Sequence, residues 1–266
     1  MEYLVNQPYV FGILLGISLA IAIELGQQTS NRARIQEHAH RKEQMVAIRD
    51  GLFVLVSLLL GFTLTLAVSR FNERRSLVIE EADAIEVTYL RSSTLPPSYR
   101  DQAQEQLRQY VEARIDLDKA GVDQGRIAEA SQRSKHIQEE LWDEAADLTK
   151  SDRSAIMGGY INSLTETIEL HDKRLAAVEN RIPVTIWIMI VSVSLIAVFA
   201  RGLTLVSRFW LTLALAPITI ALVVALIADL DTPSAGLIQL DNRAMQRLKV
   251  EIRGGQDKPA GIHSEN

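Results

Sequence analysis

The sequence predicts an all-α membrane protein with four transmembrane helices and a helical extramembrane domain between the second and third. Three observations carry this. Apolar residues crowd into four stretches near 9–25, 52–69, 184–200 and 209–228, while charged residues crowd between 70 and 181 and after 229. A membrane protein separates the two populations in blocks, whereas a globular domain mixes them at helical or strand period. No charged residue falls between Leu52 and Ser69. At about 1.5 Å of rise per residue, that stretch crosses a hydrocarbon core of roughly 30 Å. Finally, the charged segment shows helical spacing throughout and no strand alternation.

The chain has 266 residues, 47% of them apolar, with a net charge of −5 and no cysteine. The mild charge implies no nucleic-acid partner. The absence of cysteine excludes disulfides and thiol catalysis. The first stretch is read as a retained span rather than a signal peptide, because Met1–Gln7 has no Lys or Arg and Ala22-Ile-Glu-Leu-Gly is a poor cleavage site. Gly12, Gly16 and Ala20 recur every four residues, a spacing that lets a second helix approach closely.

Residues 26–50 are polar and basic, and Ile35, Ala39, Lys42 and Val46 suggest a short surface helix. His38 and His40, two apart, would point away from each other on it and are read as solvated. After the second span the pattern Leu77, Ile79 (or Val78), Ala82, Ile85, Tyr89 continues one long helix to about Ser92. Leu95-Pro-Pro breaks it, and Pro97 starts a helix that stops at Gly121. A third domain helix runs from about Gly125 to Thr149. A fourth, with Asp152 as N-cap, runs up to Pro183. Pro217 falls within the fourth span, and a short amphipathic stretch follows to about Ile252. The boundaries are therefore 1–70 for the first membrane hairpin, 71–182 for the helical domain and 183–229 for the second hairpin. Residues 230–253 form an amphipathic segment and 254–266 a disordered tail. Trp187 and Trp210 sit where aromatics anchor spans at the interface. His171, with Glu166, Glu169 and Asp172 nearby, reads as a surface histidine.

Four spans put both termini and the domain on one side. Basic residues near the membrane number eight on that side (Arg70, Arg74, Arg75, Lys173, Arg174, Arg181, Arg243, Arg247). The other side has seven (Arg32, Arg34, Arg41, Lys42, Arg49, Arg201, Arg208), so charge does not choose the orientation. There is no Gly-rich phosphate loop, no metal-spaced His or Glu pair and no nucleophile elbow. The expectation is no catalytic residue, no metal, no cofactor and no enzymatic activity.

The second span and its exit read Leu58-Leu-Leu-Gly-Phe62-Thr-Leu-Thr-Leu-Ala-Val-Ser-Arg70-Phe71-Asn-Glu73-Arg-Arg75. This resembles the second helix of the bestrophins, with Leu60, Gly61, Phe62, Arg70, Phe71, Glu73 and Arg75 in register. The chain is similar along nearly its whole length to a bestrophin-like group of bacterial membrane proteins. The marks are Glu80-Glu-Ala-Asp-Ala-Ile, Thr88-Tyr-Leu-Arg91 with Leu95-Pro-Pro, His171-Asp-Lys-Arg-Leu-Ala, Asn180-Arg-Ile-Pro183, and the acidic segment containing Asp229, Asp231, Pro233 and Gly236.

Bestrophins are pentameric anion channels whose second helices line the pore with an apolar neck. The resemblance implies a homo-oligomer, five subunits by analogy, in the bilayer of the bacterial inner membrane with its domain in the cytoplasm, passing inorganic ions. It places the pore constriction on Val54, Leu58 and Phe62, where an apolar ring can gate by dewetting. Thr63 departs from the Arg of bacterial bestrophins and Asn72 from an aromatic. Of the acidic calcium clasp only Asp229 and Asp231 remain, too few oxygens for a calcium cage. Spacing alone adds a second face, Ser57, Gly61, Thr65 and Ser69, as wider pore lining, and both faces stay open to a lipid or packing role. Arg70, Glu73, Arg74, Arg75, Glu80 and Glu81 are read as vestibule or exit charges. Few of the charges there pair at i,i+4, so their partners come from other helices or subunits. The alternative function is a non-conducting scaffold or sensor whose domain binds a partner protein.

Overall fold

The computed structural model describes residues 7–33, 39–121, 123–205, 210–232, 236–238 and 240–254. Among them all regular structure is helical: α1 (Pro8–Ala33), α2 (Ala39–Ser92), α3 (Pro97–Lys119), α4 (Gln124–Leu148), α5 (Ala155–Glu179), α6 (Val184–Thr204), α7 (Trp210–Asp231) and α8 (Arg243–Gly254). Four helices, α1, α2, α6 and α7, carry stretches long and apolar enough to cross a membrane. The chain divides into two compact units. One is Met1–Phe71 with Asn180–Gln239, the other Asn72–Glu179 with Leu240–Asn266.

In the membrane unit α1 packs against both α6 and α7. Phe11, Leu15, Leu19 and Ile23, four apart, form its buried stripe. Glycine sets how closely the helices approach. A Cβ on Gly26 would lie 2.2 Å from the carbonyl oxygen of Phe199, and one on Gly202 would lie 2.2 Å from that of Ile23. A Cβ on Gly12 would come within 2.7 Å of the Ala225 Cβ and one on Gly16 within 3.4 Å of the Ala221 Cβ, so these two glycines serve a helix contact against α7, while Ala20 is exposed. Trp187 is not an interfacial anchor. It is fully buried and meets Phe11 edge to face, centroids 5.5 Å apart. The side chain of Trp210 lies outside the described residues.

The stretch 26–50 does not form its own surface helix. Residues to Ala33 complete α1 and those from Ala39 open the 54-residue α2. Residues 34–38, including Arg34 and His38, lie outside the described residues, as do the side chains of His40 and Arg41. α2 runs without a break to Ser92, and Pro97 starts α3. Gly121, at φ 60°, adopts the left-handed conformation that ends a helix there. Asp123 caps α4 by accepting from the N–H groups of Gly125 and Arg126. The cap of α5 is Ser154 rather than Asp152. The Ser154 Oγ accepts from Met157 N–H, while Asp152 closes the preceding turn onto Ser154 N–H.

The core of the second unit gathers Ile85 of α2, Leu107, Tyr110 and Val111 of α3, Ile137 and Leu141 of α4 and Leu164 of α5. Met245, Leu248 and Ile252, the apolar stripe of α8, join that core. Residues 255–266, which include nearly all of the expected disordered tail, lie outside the described residues.

Candidate pore face

Over its apolar stretch α2 has two distinct sides. Val56, Leu60, Thr63 and Ala67 are buried in the membrane unit. Val54, Leu58 and Phe62 are 69%, 51% and 68% exposed. They stand about one turn apart along the helix, so, with Leu55 beside them, a stripe of apolar side chains is left uncovered among the described residues. Ser57, Gly61, Thr65 and Ser69 are also exposed. The hydroxyls of Ser57 and Thr65 donate to the carbonyls of Phe53 and Gly61, at 2.8 and 3.0 Å, which makes this face weakly polar. Ser57 and Gly61 border a cavity shared with α7. Thr63, one of the two departures from bestrophins, points inward and bonds the Leu59 carbonyl.

The charged exit divides. Glu73, Arg75 and Glu80 are exposed, and Arg70 is half-buried with its Nη1 buried and unpartnered among the described residues. Arg74 and Glu81 correct the expectation of vestibule charges. Both are buried inside the unit and have no open face to present to passing ions. Arg74 donates to the Ala177 carbonyl at 3.1 Å.

Glu81 is the centre of a network that joins α2, α3, α4 and α5. Arg114 meets it with two nitrogens, Nε 2.7 Å from Oε1 and Nη2 donating to Oε2 at 3.1 Å. Arg174 donates to Oε2 at 2.8 Å and also binds Asp118. The Tyr110 hydroxyl donates to Oε1 at 3.1 Å, accepts from Gln138, and lies 3.3 Å from His171 Nδ1. Two guanidiniums thus face two carboxylates. Burial alone would raise the Glu81 carboxyl, but Arg114 and Arg174 outweigh it and hold it below the usual carboxylate range. Burial raises Asp118 and pushes the Tyr110 phenol well up. Burial, helped by Arg114, lowers His171 and favours its neutral form. His171 is therefore a buried member of this network, not a surface histidine. For Glu81, as anticipated, the charge partners come from other helices.

Sequence reading missed Arg114, Arg174, Asp118 and Tyr110. The signal was present: Val78, Glu81, Ile85 and Thr88 follow one helical stripe, as do Leu107, Tyr110 and Arg114, and Leu164, Thr167, His171 and Arg174. A charge on an apolar stripe is a buried charge with a partner.

The acidic segment is a staple. Asp229 Oδ1 accepts from Leu237 N–H at 2.9 Å and from the Tyr9 hydroxyl at 3.2 Å, and its Oδ2 accepts from Ile238 N–H at 3.1 Å. A Cβ on Gly236 would lie 2.2 Å from Asp229 Oδ1, so only glycine fits there. Asp231 accepts from Ile182 N–H at the start of α6. Backbone donors occupy the carboxylates that a calcium clasp would need. Among the described residues no group of three His, Cys, Asp or Glu could hold a metal. Pro233 lies outside the described residues.

Residues 47–245 match the model of the Bestrophin-like domain. The chain belongs to the Bestrophin-like family. The matched range takes in every mark of the second helix and reaches into α8. Solved structures of a bacterial bestrophin homolog from Klebsiella pneumoniae, each carrying a single substitution, share the fold. One aligns with a TM-score of 0.67 at 16% identity, covering 95% of this chain and all of that one. A second gives 0.65 at 17% identity over 92% and 97%. A third gives 0.66 at 16% over 92% and 96%. No curated protein is significantly similar in sequence. The bestrophin-like chain is thus a helical membrane protein.

Proposed function

We propose that this protein is an oligomeric ion channel of the bacterial inner membrane, with its helical domain in the cytoplasm. Its α2 helices surround the pore, and Val54, Leu58 and Phe62 form the neck. The observation that carries this reading is the exposed apolar stripe those three residues make on α2, the helix whose sequence resembles the pore helix of the bestrophins. A ring of such stripes around an axis gives a narrow apolar passage that conducts when wetted and stops when dry. Arg70, two turns beyond Phe62 and with an unsatisfied guanidinium nitrogen, supports a preference for anions. Thr65 and Ser69 are the wider weakly polar lining. Glu73, Arg75 and Glu80 are the exposed exit charges. Five subunits is the assembly the family implies. The role is passage of ions rather than catalysis. Asp229 and Asp231 act as structural staples, so calcium is not the gating ligand at that segment.

The test is ion flux from liposomes containing the purified protein, under separate chloride and potassium gradients, with wild type beside Phe62→Ala. Chloride-selective flux that rises in the variant supports the neck. Potassium-selective flux keeps the channel and removes the anion preference. No flux from either protein, both well folded, assigns the chain to the non-conducting scaffold.

A further inference from the structure

The cavity beside the small-residue face of α2 has a volume of about 510 Å³. Val56, Leu60 and Leu64 of α2 form one wall, and Leu215, Ile220 and Val223 of α7 the other. From Phe53 to Leu64 the α2 wall runs about 17 Å at the helical rise, close to the roughly 15 Å depth of one leaflet's hydrocarbon. Among the described residues the lining is apolar except for Ser57, Thr219 and one charge, Arg201.

Arg201 lies in the last turn of α6. Arg49 Nη1 donates to Thr204 Oγ1 at 3.1 Å, which sets that end of α6 beside the start of the apolar stretch of α2. The guanidinium therefore stands at the membrane-surface end of the cavity. Its Nε is buried with no partner among the described residues. A cation in such a place calls for an anion.

We propose that this cavity is a phospholipid site. One acyl chain lies between α2 and α7, and the lipid phosphate accepts from the Arg201 guanidinium. The apolar walls match the chain in length and character, and the Arg201 guanidinium on the lining matches the phosphate in charge. Gly61 leaves the space a chain needs, since a Cβ built there meets nothing within 4 Å. On this account Ser57 and Gly61 belong to the lipid-filled side of α2, and the pore face keeps the Val54–Leu58–Phe62 stripe with Thr65 and Ser69 beyond it. The site stands whether or not the protein conducts.

The experiment is native mass spectrometry of the intact detergent-solubilised protein, titrated with phosphatidylglycerol and with diacylglycerol of the same chains. Wild type should hold phosphatidylglycerol at least about tenfold more tightly than diacylglycerol, since a charge-assisted hydrogen bond separates them. Arg201→Gln should fall to the diacylglycerol level. Gly61→Leu, which fills the cavity without touching the charge, should lose both lipids while the subunit count stays the same. Equal phosphatidylglycerol retention by wild type and Arg201→Gln would overturn the site. So would a Gly61→Leu protein that keeps its lipid but changes its number of subunits, because the cavity would then receive a second copy of the chain.

Discussion

The two halves of α2 treat polarity in opposite ways. Between 52 and 69 the helix exposes Val54, Leu58 and Phe62 and buries Val56, Leu60 and Thr63. Between 73 and 88 it buries Arg74, Glu81 and Thr88 and exposes Glu73, Arg75 and Glu80. One continuous helix thus turns an apolar face outward in the membrane unit and draws charges inward in the helical unit. The solvent explains the first half: in a bilayer an exposed apolar stripe costs nothing, and it is available to line an oligomer axis. The second half needs partners. Glu81 is tolerated inside only because Arg114, Arg174 and Tyr110 saturate it.

The sharpest way to break this contrast is to remove the buried charge. Glu81→Ala leaves two buried guanidiniums with Asp118 as the one remaining carboxylate of the network and should destabilise the protein by about 3–5 kcal/mol in chemical denaturation. Glu80→Ala, one residue away but exposed, should change stability by less than about 0.5 kcal/mol. Equal effects at the two positions would erase the distinction between buried and exposed faces. In the membrane unit the corresponding weak point is backbone contact rather than charge. Gly202→Val must push α1 and α6 apart and should cost roughly 1–3 kcal/mol or more, read as a lowered Tm in detergent.

Much of this was legible in the sequence, and the reason is local. Pro96 and Pro97 break and restart a helix through backbone geometry alone, and Gly121 ends one the same way. Apolar stretches of membrane length announce themselves by composition. The Glu81 network did not announce itself, because its partners lie 33 and 93 residues away and polar residues on an extramembrane helix are usually solvated. Trp187 misled in the opposite direction: its place at a span end suggested an anchor, whereas Phe11, far off in sequence, covers it. On α2 the stripe spacing identified both open faces. Which of them borders α7 needed the fold.

Two smaller effects sharpen the comparison. Tyr110→Phe removes the phenolic donor to Glu81 and the acceptor for Gln138, and should cost about 1–3 kcal/mol, below the Glu81→Ala loss. Stability should also depend on pH through His171. Its folded pKa is depressed by burial and Arg114, so the unfolded chain takes the proton first. As pH falls below the ordinary value of 6.5 the unfolded state binds more protons and stability declines, until the folded pKa is passed. Asp118 acts in the opposite sense between the ordinary value of 3.8 and its raised folded pKa, where the folded chain takes the proton first. Denaturation midpoints between pH 7.5 and 5.5 should therefore drop in wild type and flatten in His171→Gln.

The central claim is that the exposed apolar stripe of α2 faces water at an oligomer axis rather than lipid. The chain has no cysteine, so single thiols can be placed at will. The most direct measurement is the effect of a membrane-impermeant charged thiol reagent on flux through Phe62→Cys in liposomes, beside Ile218→Cys on the exposed side of α7. Modification that changes flux at Phe62→Cys and leaves Ile218→Cys untouched is the predicted result. A Phe62→Cys protein that conducts unchanged, and reacts only with a membrane-soluble reagent, would place the stripe in lipid and contradict the account.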